Sequence, residues 1–335
     1  MRPRTYLAGF ALMSILGVAP LPPCQAQPVA ATTASTHRLS AAGEGSFEWF
    51  FLLVDAANDL GLWRKNGLEP EFMLAPGTAA QLKERIDAGA KVGFANTAEV
   101  TLARSSGVPV KTVAGYFGET GAKIFVATGG PIKEPKDLNH KKIGILATTH
   151  TSYRTVLYLN KKLDIQAEPV PLGALANNLA ALKAGQIDAF YSAEGAALAL
   201  VDSGDVRLLI PLPEVYPKPY AAVVIWATDD AIERAPELVA AFVRTTLQSV
   251  KYLQDHPSYA SELYIKRTHS QKNVADKVVA ALNAVLTSSG RGSGSDLVAS
   301  VAGNWRFMKE SGAVSADTAV NIEEVVDARF LPPTQ

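Results

Sequence analysis

The sequence predicts an α/β protein made of two successive series of strands and helices. Three observations predict it. Short apolar runs alternate with helical-period segments along most of the 335 residues. Glycines close segment after segment, as C-terminal stops do. One strand-to-helix pattern also recurs at a constant offset of 95 residues, Thr97-Ala98-Glu99 against Ser192-Ala193-Glu194.

The first series begins with a weak strand at His37–Ala42. Phe50, Leu53, Val54, Ala57 and Leu60 then fall on a helical period over Ser46–Leu60, stopped by Gly61. Leu68–Leu74 reads as a strand ahead of Pro76-Gly77. Thr78 caps a helix through Ala88, closed by Gly89. Lys91–Ala95 is a short buried strand, Thr97 caps a helix to Ser105, and Val108–Tyr116 is a strand. Such alternation argues for a parallel sheet with helices on its faces.

The second series opens with an apolar strand, Ala122–Thr128, broken by Gly129-Gly130-Pro131. Strands follow at Lys142–Leu146, Ile187–Tyr191 and Val206–Ile210, with helices at Thr149–Lys162, Leu175–Ala184 and Glu194–Ser203. After the proline-rich Pro211–Pro219, the strand Ala221–Ala227 resembles Ala122–Thr128. The remainder is helical. Pro236 opens a long helix with Val239, Val243, Leu247 and Val250 on one face, ended by His256-Pro257. Further helices are expected at Ser258–Arg267, Asn273–Thr287 and Ser295–Lys309. Gly290, Gly292 and Gly294 follow no strand, so they read as a loop and not as a dinucleotide fingerprint.

The first residues read as an address. Arg2 and Arg4 precede an apolar run, Tyr6–Val18, and small residues lead to a cut expected after Ala26. Residues 1–26 are thus a secretory signal and 27–37 a flexible Ala/Thr/Ser-rich leader. The run is short for a membrane span, with an uncleaved anchor as the alternative, and prolines before Cys24 argue against lipidation. No later segment approaches about 18 unbroken apolar residues, so the exported chain is expected to be soluble.

Composition excludes several classes. The full chain balances 32 basic against 32 acidic residues, and loss of Arg2 and Arg4 with the signal leaves −2. That gives no electrostatic basis for a nucleic-acid partner. One cysteine excludes a disulfide framework and any multi-cysteine metal site. An apolar content of 48% excludes general disorder. No cofactor motif and no metal motif is present.

Open α/β sheets bind ligands at the carboxyl ends of their strands. The repeated tripeptides lie at two such ends, so Thr97, Glu99, Ser192 and Glu194 are candidates to face each other across a cleft. A hydroxyl followed by an acid is also ordinary helix capping, and both readings stay open. Thr148, Thr149, His150, Thr151 and Ser152 carry more hydroxyls into a helix start than one cap requires, which suits an anion. Ser46, Phe47, Glu48 and Trp49 form a fourth candidate turn, with core packing as the alternative for the aromatics. Phe117 precedes Gly118–Gly121, a candidate hinge that contains Glu119, with plain exposure as the alternative for that glutamate. Four glutamates in one cleft would repel without a cation, so either several point away or the ligand carries an amine or another N–H-donating group.

The stretches Asp59–Glu71, Pro131–Gly144, Ala181–Ala189, Pro236–Val239 and Val326–Pro332 resemble, in order and spacing, a known family. It is the periplasmic solute-binding proteins of ABC importers, in the nitrate/sulfonate/taurine-type group that includes thiamine-pyrimidine-precursor binders. The resemblance implies a type II periplasmic-binding-protein fold: two α/β domains, two crossovers and a ligand in the interdomain cleft. It places domain 1 at 38–121 and 222–335 and domain 2 at 122–221, with ligand contacts among Ser46–Trp49, Thr97–Glu99, Phe117–Glu119, Thr148–Ser152 and Ser192–Glu194. It also implies a monomer in the periplasm, partnered by a small-molecule ligand and an ABC permease. The turn Gly43–Trp49 departs from the family's polar first turn, and Glu48 argues against nitrate or bicarbonate.

The leading expectation is therefore capture of a small polar solute by hinge closure, without covalent chemistry. An aminosulfonate comes first, an aminopyrimidine or other nitrogen heterocycle second, and an aliphatic sulfonate remains open. The alternatives are an exported enzyme or a sensor that binds a pyrimidine-type ligand. No HExxH or G-x-S-x-G motif supports an enzyme, and His150 is the one histidine near the candidate site.

Overall fold

The computed structural model describes residues 37–44, 48–75, 78–117, 121–193, 195–286 and 294–331. These fall within one compact unit, Ser35–Gln335. The expected signal segment, Ser46, Phe47, Glu119, Glu194 and most of the candidate hinge lie outside the described residues, as do the side chains of Glu48, Trp49 and Phe117.

The first series runs β1 (His37–Glu44), α1 (Glu48–Asp59), α2 (Leu62–Lys65), β2 (Leu68–Ala75), α3 (Ala79–Asp87), β3 (Val92–Asn96), α4 (Thr97–Ser105) and β4 (Val110–Phe117). The second runs β5 (Lys123–Ala127), β6 (Lys142–Ile145), α5 (Thr151–Leu163), β7 (Glu168–Pro171), α6 (Leu175–Lys183), β8 (Ala189–Ser192), α7 (Ala196–Asp202) and β9 (Val206–Pro211). The chain then makes β10 (Val223–Thr228), α8 (Asp229–Arg234), α9 (Pro236–Asp255), α10 (Pro257–Thr268), α11 (Lys272–Leu286), α12 (Gly294–Glu310) and α13 (Ile322–Val325).

Two five-stranded sheets result, ordered β2-β1-β3-β10-β4 and β7-β6-β8-β5-β9. The two orders match strand for strand. The similar strands β5 and β10 hold the same fourth place, and β3 and β8, which lead into the repeated tripeptides, hold the same third place. Each sheet is mixed where the alternation predicted a parallel one. β10 runs antiparallel to β3 and β4, and β5 antiparallel to β8 and β9. The cause is connectivity: each of these strands is the first one after a crossover, so it enters its sheet from the side of the other. The edge strand β7 escapes a periodicity reading because it contains Pro169 and Pro171, tolerated there because an edge position spares a missing N–H donor.

The core of the first sheet is aromatic. Phe94 of β3 lies 5.5 Å from Phe50 of α1 and 5.2 Å from Phe242 of α9, ring centre to ring centre. Fully burying each such ring stabilises by about 1.5–3 kcal/mol, which fixes both helices on that face. In the second sheet Phe125 of β5 stacks on Phe190 of β8 at 5.3 Å. On the other face of that sheet, Phe307 of α12 packs 5.1 Å from Tyr158 of α5 and 4.5 Å from Tyr216. The chain's late helix α12 therefore shares a core with the second sheet.

Candidate functional site

A cavity of about 70 Å³ lies among the carboxyl ends of the parallel strands. Asn96 and Ala98 reach it from the end of β3, Tyr191 and Ala193 from the end of β8, and His150 and Thr151 from the turn after β6. Lys123, Tyr220 and Asn304 add polar groups, and α11 supplies an apolar side.

The turn after β6 is held from within. His150 is the N-cap of α5: its Nδ1 accepts the Ser152 backbone N–H at 3.1 Å. The Ser152 hydroxyl, fully buried, accepts the Leu146 N–H at 3.1 Å. With Nδ1 accepting, the neutral ring carries its proton on Nε2. Burial, helped by the Arg154 guanidinium, holds the imidazole down to about 4, so the ring is neutral at pH 7. Thr148 and Thr149 are exposed, and the Thr149 carbonyl accepts a bond from Arg154 at 3.2 Å. Of these five residues, His150 and Thr151 line the cavity.

The end of β3 is arranged differently from the expected cap. The N-cap of α4 is Asn96, and Thr97 is its first helical residue. Thr97 is fully buried, its backbone N–H donates to the Ala222 carbonyl at 3.1 Å, and its hydroxyl meets no partner among the described residues. The hydroxyl is inside the protein because the helix starts one residue earlier than the cap reading assumed. Asn96 spends its side chain on Glu99, donating to Oε1 at 2.8 Å.

Glu99 is 3% exposed, and its Oε2 has no partner among the described residues. Burial raises its carboxyl above the ordinary range, opposed by the Asn96 bond and by the guanidinium groups of Arg85 and Arg154. Arg85 is buried and donates to the Gly43 carbonyl at 2.9 Å, at the end of β1. Arg154 comes from α5. Glu99 thus feels guanidinium groups from elements of both series, and neither these three residues nor Thr97 line the cavity. Ser192 ends β8 and is buried, paired in register with Lys123.

The sequence reading did not single out Lys123, Asn96, Asn304, Arg85, Arg154 or the α11 wall. Lys123 is the first residue of β5, and its ammonium donates to the Gly121 carbonyl at 2.6 Å. Burial lowers its pKa. Asn304 is buried and donates to the Ala221 carbonyl at 2.9 Å, fixing the approach to β10. Tyr220 is buried, which pushes its phenol far above the usual range. A lysine ahead of an apolar strand was the one local signal available for Lys123. Among the described residues no group of three or more His, Cys, Asp and Glu is placed to hold a metal ion, and no helix is long and apolar enough to cross a membrane.

Residues 51–260 match the sequence profile of the family described as NMT1/THI5 like. The chain belongs to the NMT1/THI5-like family. No curated protein sequence matches it. This NMT1/THI5-like protein has the periplasmic binding protein fold, as its structural neighbours show. The aliphatic sulphonate binding protein SsuA of Escherichia coli superposes with a TM-score of 0.71 at 17% identity, covering 89% of this chain and 94% of that one. The alkanesulfonate-binding SsuA of Xanthomonas axonopodis pv. citri, bound to MOPS, gives 0.59 at 19% identity, covering 73% and 84%. DszB in complex with biphenyl-2-sulfinic acid gives 0.61 at 15% identity, covering 88% and 97%. The nitrate/sulfonate/taurine-type resemblance read from the sequence agrees with this family and these neighbours.

Proposed function

We propose that this NMT1/THI5-like protein is the substrate-binding component of an ABC uptake system. It captures a small polar organic solute between two α/β domains, residues 38–121 with 222–335 and residues 122–221, and delivers it to a membrane permease. The observation that carries the reading is the cavity itself: both sheets contribute to it from the carboxyl ends of equivalent strands, β3 and β8. Two crossovers join the sheets, which suits hinge closure, in which a solute favours the closed state and closure presents a new surface.

The solute is an aminosulfonate or sulfonate, or a nitrogen-containing compound, held in this cavity; of the residues expected from the sequence, His150 and Thr151 line it, and Thr97, Glu99, Thr148, Thr149, Ser152 and Ser192 do not. The protein acts as a monomer in the periplasm after cleavage behind Ala26, and performs no covalent chemistry. His150 supports that last point: its Nδ1 accepts from its own helix start, which puts the neutral ring's proton on Nε2 and leaves the ring no lone pair for a general base.

The test is a thermal-shift series on residues 27–335 with taurine, alkanesulfonates, nitrate, aminopyrimidines and thiamine. A solute at 100 times its Kd adds about 2.7 kcal/mol, a shift of several degrees. A melt unmoved by every compound overturns the reading. Uptake that depends on the permease separates a transport component from a sensor.

A further inference from the structure

The Lys123 ammonium has three donors, of which one goes to the Gly121 carbonyl. No carboxylate among the described residues pairs with it, although it lines the cavity and is partly buried. A surface lysine carries its charge out into water along its apolar stem. This one lines the cavity and is partly buried, and partial burial of a cation without a counter-charge is costly. The same cavity is lined by Val278, Leu282 and Val285 of α11 and by Leu198, Phe307 and Met308. The lining thus combines a cation that calls for a negative charge with an apolar surface.

We propose that Lys123 anchors the anionic group of the captured solute and that α11 receives an apolar body on the same molecule. The solute is then an organic anion with an alkyl or aryl body. This rests on the solute-capture reading above and narrows it. Among the ligands considered there, taurine fits poorly, because its ammonium would face the α11 side chains without a counter-charge. The neutral His150 ring and Thr151 supply hydrogen bonds to the anion without adding charge.

The experiment compares melts of the wild type, Lys123→Met and Lys123→Arg. The probes are benzenesulfonate, hexanesulfonate, taurine, neutral benzenesulfonamide and inorganic sulfate. Benzenesulfonate or hexanesulfonate is expected to raise the wild-type melt at concentrations at least tenfold below taurine. Lys123→Met loses at least tenfold in that response, its ligand-free melt does not fall, and Lys123→Arg keeps the response within a few-fold. An equal effect of the sulfonamide, or a full response in Lys123→Met, overturns the inference and leaves solute capture standing. Sulfate separates the opposite case. A sulfate response that depends on Lys123, with no organic probe bound, overturns both the organic-anion inference and capture of an organic solute, and leaves Lys123 as an inorganic-anion site. A sulfate response that is the same in wild type and Lys123→Met overturns the anchor.

Discussion

Gly195, at the start of α7, lies directly against Val278 of α11. A Cβ on Gly195 would stand 2.4 Å from Val278 Cγ2 and 2.7 Å from Cγ1. Beside this contact Lys277 pairs with Asp202, so a charged and an apolar contact join α7 to α11. Gly195 and Val278 both line the cavity, so this contact forms part of its wall.

Gly195→Val is therefore expected to wedge α7 from α11. Overpacking costs about 1–3 kcal/mol, which is roughly 5- to 150-fold in solute affinity if the strain falls on the closed form. Calorimetric titration with the best solute from the thermal-shift series measures it. Pairing Gly195→Ala with Val278→Ala should recover affinity lost by the first change alone, giving a coupling energy in a double-mutant cycle. Additive effects of the two changes would show that the contact does not govern closure.

Burial of His150 gives a second prediction. Its folded-state value of about 4 lies below the ordinary 6.5. Between these pH values the unfolded chain holds a proton that the folded chain does not. Stability from this group is thus present above pH 6.5 and is lost as pH falls toward 4. His150→Asn keeps an N-cap acceptor and removes the titration. Denaturant melts at pH 7 and pH 5 should show the wild type losing more stability than the variant. The difference is bounded by about 1.4 kcal/mol per pH unit and reduced by the ring's partial exposure. Parallel losses in the two proteins would refute it.

Much of the fold was legible because its signals are local. The tripeptides at Thr97 and Ser192 sit behind strands that hold the same place in the two sheets, and a fixed offset in the chain was enough to expose that relation. The glycine stops behind Asp87 and Lys183 and the apolar face of α9 are likewise short-range features. The site was less legible because it is assembled at long range. His150 and Thr151 line the cavity as a hydroxyl-rich helix start suggested, but Val278 and Leu282 join them from a helix more than a hundred residues later. Nothing in a periodic apolar helix says which of its residues faces a ligand. Thr97 shows the converse: a good capping residue is drawn inside when its neighbour Asn96 takes the cap position.

Glu99 titrates in the opposite sense to His150. Burial lifts its carboxyl above the ordinary 4.5, so the folded chain keeps a proton that the unfolded chain releases. Its contribution is present at low pH and is lost as pH rises through the folded-state value. Glu99→Gln keeps an acceptor for Asn96 and cannot ionise. The melting temperature of the variant minus that of the wild type should therefore grow from pH 4 to pH 7. A difference that shrinks would mean that the Arg85 and Arg154 charges outweigh desolvation.

Gly303 tests how α12 holds the second crossover. A Cβ there would stand 1.8 Å from the Pro219 carbonyl oxygen, a backbone atom with no rotamer to yield. The same helix grips the same stretch by hydrogen bonds: Asn304 donates to the Ala221 carbonyl at 2.9 Å, the Ser300 carbonyl accepts from Ala221 at 3.2 Å, and Arg306 donates to Lys218 at 3.1 Å. Gly303→Ala must push α12 away from residues 218–221 and weaken all three. The expected loss is about 1–3 kcal/mol, read as a lower urea midpoint at unchanged slope. Because Tyr220 lies in the displaced stretch and lines the cavity, solute affinity should fall with stability. An unchanged midpoint would mean that the crossover can shift freely, and that α12 does not fix the position of Tyr220.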